Sequence, residues 1–399
     1  MTEQALSDLA VLDIGLDISG PFCAKFLADY GADVIKIEDP TGGDPARRAG
    51  PFPQDIPHSE KSGLFLHLNT NKKGVTLDIR TATGRRIFKE LVRRADVVVE
   101  NYPPGTLESW GLSYDQLAAI NPRLVLTSIT PFGQYGPYKD YTASEIVVFA
   151  MSTRMYVHGR SDREPLRYSP DAGWFQAGVT AASATMGAVI ASRIYGIGQQ
   201  VDVSALEAML GNVDARSLMY EYTKEPATRE RPGGGYPGGV YPCQDGFLLF
   251  AAGQDRFFRR LCRAMGREDI LQDPRWATVE ERQFHKDEFD AEFIPWLLGL
   301  TRQEAFSICQ AGGVMMGPIL SMDELPQDPQ MIARQYFVEI EHPVAGRLKY
   351  TGPPFKMTEN LSQVRMPAPV LGQHNVEVYC EMLGYTREDL MRLRAQGVI

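Results

Sequence analysis

Short unbroken apolar runs alternate along this chain with stretches of helical spacing. Leu9-Ala10-Val11-Leu12-Asp13-Ile14 is one such run, bounded by Gly15, and it suits a strand buried within a parallel sheet. Gly20-Pro21 then opens a helix, with proline accommodated in the first turn. Phe22, Phe26 and Leu27 recur at helical spacing, and Gly31 is placed to cap the end. Val34-Ile35-Lys36-Ile37-Glu38 is the next strand. A strand-helix-strand unit implies a right-handed crossover and parallel pairing. The unit recurs, with a strand from Gly74 to Asp78 and an amphipathic helix from Ala82 to Arg94 that turns Ile87, Phe88, Leu91 and Val92 inward. Further strands run from Asp96 to Glu100 and from Leu124 to Ile129. The pattern predicts an α/β fold with a doubly wound, Rossmann-like domain. Ligands in such sheets lie beyond the carboxyl ends of the strands, which puts Ile18-Ser19-Gly20, Asn101-Tyr102 and Thr130-Pro131-Phe132-Gly133 on the candidate edge.

The pattern changes near residue 225. Arg231-Pro232-Gly233-Gly234-Gly235-Tyr236-Pro237-Gly238-Gly239 reads as a loop or linker. It follows no strand-to-helix pattern and has no Lys-Ser/Thr after it, so it is not a phosphate-binding P-loop. Hairpin-like strands around Asp245-Gly246 and helical stretches up to residue 310 follow, giving a small α+β domain over 225–325. Turn-rich segments such as His342-Pro343-Val344-Ala345-Gly346 then lead to a closing helix near Val376 to Leu383.

Composition narrows the function. The net charge of -9 argues against a general nucleic-acid binder. Five cysteines (Cys23, Cys243, Cys262, Cys309 and Cys380) lie far apart, with no CxxC pair and no Cys/His cluster. A metal site is not expected, and reduced thiols fit a cytoplasmic protein. Met1-Thr2-Glu3-Gln4 is polar and acidic, unlike an export signal. No apolar run approaches the ~20 residues that span a bilayer, so no membrane association is expected.

Several segments, taken in order, resemble the class III CoA-transferases of the formyl-CoA and carnitine type. They are Ser19-Gly20-Pro21, the stretch from Leu27 to Glu38, Gly43-Asp44, Asn71-Lys72-Lys73, the stretch from Ala95 to Asn101 and Pro104-Gly105. The stretch from Phe132 to Tyr138, Gly196-Ile197-Gly198-Gln199, and the stretch from Pro367 to His374 complete the set. The resemblance covers nearly the whole chain. It implies an interlocked-ring dimer and a large domain built from residues 1–224 and 326–399. It also implies a coenzyme A thioester as substrate, no permanently bound cofactor, and transfer of CoA to a carboxylic acid. Ile18, Ser19, Leu77, Arg80, Asn101 and Tyr102 match positions that approach CoA, though each is equally readable as a plain sheet-edge residue.

One departure changes the expected chemistry. The family nucleophile is an aspartate four residues before the position of Gly178. The spacing from Gly178 to Gly196 fits the family without a gap, so Trp174 occupies that place. Indole only donates a hydrogen bond and cannot carry an acyl group. The plain alternative is a packed aromatic on a helix face, and the acid is absent either way. Asp171 is the nearest acid and the fallback nucleophile, three residues away on a shared helix face. Against that, Ser169-Pro170-Asp171 reads as an N-cap, a first-turn proline and a first-turn acid. Asp39 and Ser109 stand where the family often carries cations, which weakens the expected phosphate grip.

The reading that follows is a subunit of a two-component transferase, paired with a homologous subunit carrying the catalytic aspartate. Arg163-Glu164-Pro165-Leu166 is similar to the style of the non-nucleophilic subunit of succinyl-CoA:benzylsuccinate CoA-transferase. That implies succinyl-CoA as donor, an aryl-succinate as acceptor and a place in aromatic degradation. A self-sufficient homodimer using Asp171 and a non-enzymatic CoA-binding scaffold are the alternatives.

Overall fold

Six strands pair in parallel in the order β3-β2-β1-β4-β5-β6. They are β1 (Ala10–Asp13), β2 (Asp33–Glu38), β3 (Lys72–Thr76), β4 (Val97–Glu100), β5 (Val125–Thr130) and β6 (Gln199–Ser204). The computed structural model describes residues 4–211, 216–229, 235–359 and 362–399. The chain divides into one compact unit of Met1–Ala227 with Ile332–Ile399 and another of Thr228–Met331.

The apolar runs are buried on both faces, as parallel strands require. Leu12, Val98 and Leu126 point to one face, where helix α2 (Ala82–Val92) packs Ile87, Phe88, Leu91 and Val92 against them. Val11, Val97, Val99 and Val125 point to the other face. That face is covered by α1 (Ser19–Asp29) and, after the short helix α3 (Glu145–Met151), by the long helix α4 (Ala172–Tyr195).

Three expectations need correction, and one strand was not expected at all. The strand expected from Gly74 to Asp78 runs from Lys72 to Thr76 instead, in register with β2 from Val34↔Lys72 to Glu38↔Thr76. Strand β6 has polar, exposed Gln199, Gln200 and Asp202, so it carries no apolar run to announce it. Helix α4 is 24 residues long and apolar enough, by length and composition, to cross a membrane. Its small residues here pack inward, with Ala177, Gly178, Ala181 and Thr185 buried. Finally, the helix does not begin at Ser169-Pro170. It begins at Ala172, with Asp171 preceding it at φ 65.

The C-terminal segment belongs to the unit that holds the parallel sheet. The Tyr379 hydroxyl donates to the Thr76 carbonyl at 2.8 Å, and the Asp78 amide donates to the Val398 carbonyl at 2.8 Å. His374 Nδ1 accepts the Gly74 amide at 2.9 Å. The closing helical turn spans Glu377–Met382, and an additional helix, Arg387–Ala395, follows it.

In the smaller unit, β7 (Gly238–Cys243), β8 (Gly246–Ala251) and β9 (Met316–Pro318) form an antiparallel sheet. Phe250, Phe258, Phe289 and Phe293 fill its core. Residues 231–234 of the glycine-rich stretch lie outside the described residues, whereas Gly238 and Gly239 belong to β7.

Candidate active site

The turn between β1 and α1 is shaped by close backbone contact. A β-carbon on Gly15 would stand 2.8 Å from the Gly20 Cα, so a side chain there would force the turn open. Asn101, just past β4, clasps this turn. Its Oδ1 accepts the Leu16 amide at 2.7 Å, and its Nδ2 donates to the Leu16 carbonyl at 2.8 Å and to Ser19 Oγ at 3.1 Å.

Buried cations hold the turn from beneath. Lys72 Nζ donates to Asp13 Oδ2 at 2.8 Å, to the Pro21 carbonyl at 2.7 Å and to Asn69 Oδ1 at 2.9 Å. Burial pulls its pKa down to about 8 despite the Asp13 charge. Lys36 pairs with Asp44 at 2.7 Å and donates to the Gly15 carbonyl. The Asn71-Lys72-Lys73 segment thus contributes a structural cation rather than a ligand contact.

A cleft of about 540 Å³ opens at the carboxyl edge of the sheet. Asp17, Ile18, Ser19, Asn101, Tyr102 and Trp174 line it, with Lys139 on its wall. Tyr102 also borders a second cleft of about 360 Å³, lined by Leu77, Arg80, Asp39, Arg48 and Trp110. The six positions expected to approach CoA therefore divide between two clefts that share Tyr102. Arg80 is engaged by two acids, Asp78 at 2.7 Å and Asp39 at 2.6 Å. Asp39 thus offsets the cation it faces.

Trp174 packs against the core formed by α1 and α4 and presents part of its surface to the larger cleft. Asp171 is not among the residues lining that cleft. Standing at φ 65 ahead of α4, it lies outside the helix and makes no side-chain capping bond, yet its charge reaches Asp17 in the cleft. The cap comes from elsewhere. Glu145, at the start of α3 and buried, accepts the Gly173 amide at 3.2 Å and lies 3.7 Å from Arg167. A carboxylate at a helix N-terminus is favourable.

Two acids do line the cleft, the exposed Asp140 and, at φ 55, Asp17. The Asp17 carboxyl is raised above the usual carboxylate range, first by burial and then by the neighbouring Asp44. Asp17, Lys139 and Arg48 line the clefts without a motif in the sequence that singles them out. The position of Asp17 inside the β1–α1 turn was the available signal. Glu100 is a further buried acid, at the end of β4. Burial pushes its carboxyl up to about 7, against a hydrogen bond with Ser128 and one at 2.7 Å from the Tyr102 amide.

Comparison with known proteins adds the family context. The sequence signature described as CoA-transferase family III matches residues 6–375. The chain is 36% identical over 401 residues to a succinyl-CoA–D-citramalate CoA-transferase of Chloroflexus aurantiacus, covering 99% of this chain and 98% of the relative. It is also similar to the two subunits of a succinyl-CoA–L-malate CoA-transferase of the same organism. It is 32% identical to the beta subunit, over 100% of this chain and 99% of the relative. It is 31% identical to the alpha subunit, over 99% of this chain and 92% of the relative. Among solved structures, a CAIB/BAIF family protein from Brucella suis superposes with a TM-score of 0.85 at 28% identity, covering 95% of this chain and 100% of that one.

Proposed function

The chain belongs to CoA-transferase family III, whose members act on coenzyme A thioesters, and on that premise we propose that it is the non-nucleophilic subunit of a two-component transferase. A homologous companion supplies the reacting aspartate. CoA passes from an acyl-CoA donor, succinyl-CoA, to a free carboxylic acid of the aryl-succinate class.

The observation that carries this reading is Trp174 in the wall of the cleft beside Ser19 and Asn101, at the place where the resemblance puts the nucleophile. The reaction needs a carboxylate that attacks the thioester carbonyl, expels CoA thiolate and becomes a mixed anhydride. The thiolate then attacks the enzyme's acyl carbon, releases the donor acid and leaves an enzyme thioester. The acceptor carboxylate attacks that thioester, and the released thiolate attacks the acceptor's acyl carbon to complete the exchange. An indole can enter none of these steps.

Two observations support a companion. The succinyl-CoA–L-malate relative is divided into alpha and beta subunits. In this chain Val179, Ile190, Ile194 and Ile197 are exposed on or just after α4, an apolar face suited to coverage by a related chain. The interlocked-ring arrangement is part of the same proposal.

A second reading rests on Asp17 and Asp171, with this chain acting as its own nucleophile. Asp17 favours it, being an acid in the cleft. Turnover assays separate the two. The purified chain alone transfers no CoA from succinyl-CoA, and activity appears when a co-purifying homologue is added. Robust turnover by the isolated chain that is lost in Asp17→Asn or Asp171→Asn contradicts the proposal.

A further inference from the structure

After α3 the chain turns sharply. Ser152 Oγ donates to the Phe149 carbonyl at 2.8 Å, and Thr153 follows at φ 64. A β-branched residue in the left-handed region is a genuine outlier, and such strain gathers at ligand clamps and active sites. The turn delivers Arg154 into the protein, where it is only 8% exposed.

The Arg154 guanidinium is tethered to the backbone. Its Nε donates to the Met209 carbonyl at 2.9 Å. Among the described residues no aspartate or glutamate forms an ion pair with it. A guanidinium carries five donors, and a buried charge without a counter-charge is costly. Glu145, the buried acid at the start of α3, pairs with Arg167.

Arg154 lines a cleft of about 350 Å³ whose other walls include Val157, Met209, Leu210, Tyr220 and Pro226. Ser152, Thr153, Tyr156 and Ser217 add hydroxyls to a lining that is mostly apolar. The cleft shares no lining residue with the one that holds Trp174. A concave, mostly apolar site with a few fixed polar groups is the usual form of a small-molecule site. A single planar cation among mostly apolar walls suits a carboxylate with an apolar body. Free phosphate would leave those walls unused and would find only one cation.

We propose that this cleft binds an organic carboxylate, paired head-on with Arg154, with its hydrocarbon or aryl body against Val157, Leu210 and Tyr220. This goes beyond CoA transfer, and its test needs no turnover, so it stands or falls separately from the proposed function.

The test is calorimetry on the full chain, together with whatever copy or companion purifies with it. The probes are 4-phenylbutanoate, its neutral amide 4-phenylbutanamide, and inorganic phosphate. The carboxylate binds at least tenfold tighter than the amide, and phosphate gives no heat. Arg154→Gln removes the preference for the carboxylate over the amide, and Val157→Trp weakens both organic probes by filling the cleft. Equal binding of acid and amide to the unmodified protein overturns the proposal, and this comparison does not depend on any variant folding. Unchanged carboxylate affinity in a folded Arg154→Gln variant overturns it, as does phosphate binding as tightly as the carboxylate or no binding of the carboxylate at all.

Discussion

A β-carbon on Gly178 would stand 2.8 Å from the carbonyl oxygen of Ser19. Helix α4 therefore meets the start of α1 backbone to backbone, and Trp174, one turn earlier, is held beside Ser19 in the cleft wall. The obstacle is a backbone atom that cannot swing aside. Gly178→Ala should lower unfolding stability by ~1–3 kcal/mol, the usual cost of overpacking, despite alanine's better helix propensity. Urea denaturation of the variant checks this, and a variant as stable as the parent contradicts the packing described.

Asn101 closes both hydrogen bonds of Leu16. Asn101→Ala leaves that amide and carbonyl without the side chain that satisfied them, at a cost of ~1–3 kcal/mol. The thermal midpoint should fall. CoA affinity should fall with it, because the turn that carries Ile18 and Ser19 is no longer held. A variant that loses CoA affinity at full stability would instead make Asn101 a direct ligand.

The Arg47 guanidinium grips buried Glu38 through two bonds, at 2.7 and 2.8 Å, and also reaches Glu60 at 2.6 Å and the Pro369 carbonyl at 3.0 Å. Arg47→Met strands the Glu38 charge in the interior and should cost ~3–5 kcal/mol. Adding Glu38→Gln to that variant should recover part of the loss, which denaturation of the single and double variants measures.

Glu100 makes stability depend on pH. Its carboxyl is raised to about 7 in the folded protein, above the ordinary 4.5 of the unfolded chain. The folded state then holds the extra proton between those values. The contribution is fully present below about 4.5 and is lost as pH rises through about 7. Glu100→Gln removes this loss, so its stability relative to the parent should improve from pH 5 to pH 8, on the order of 2 kcal/mol. A relative stability independent of pH contradicts the assignment.

The parallel sheet was legible because buried strands such as Val97-Val98-Val99 need continuous apolar runs, and α2 because Ile87, Phe88, Leu91 and Val92 form one stripe. Strand β6 was not, since its exposed Gln199, Gln200 and Asp202 match no buried-strand pattern. The start of α4 departs from its local sequence signal for a physical reason. Ser169-Pro170-Asp171 has good local capping chemistry, yet the Gly173 amide takes its cap from Glu145, 28 residues earlier. The cleft positions Ile18, Ser19, Asn101 and Tyr102 followed from topology. Asp17 and Arg154 did not, because a charge in a turn gives no local sign of the cavity it will meet.

The central claim is that this polypeptide does not carry the acyl group, and intact-mass spectrometry tests it most directly. The chain and its co-purifying homologue are incubated with succinyl-CoA and quenched, and each is weighed before and after hydroxylamine. The account predicts a hydroxylamine-sensitive CoA adduct on the homologue and an unmodified mass for this chain. A CoA thioester on this chain, mapped to Asp17, Asp171 or any other of its carboxylates, would contradict it.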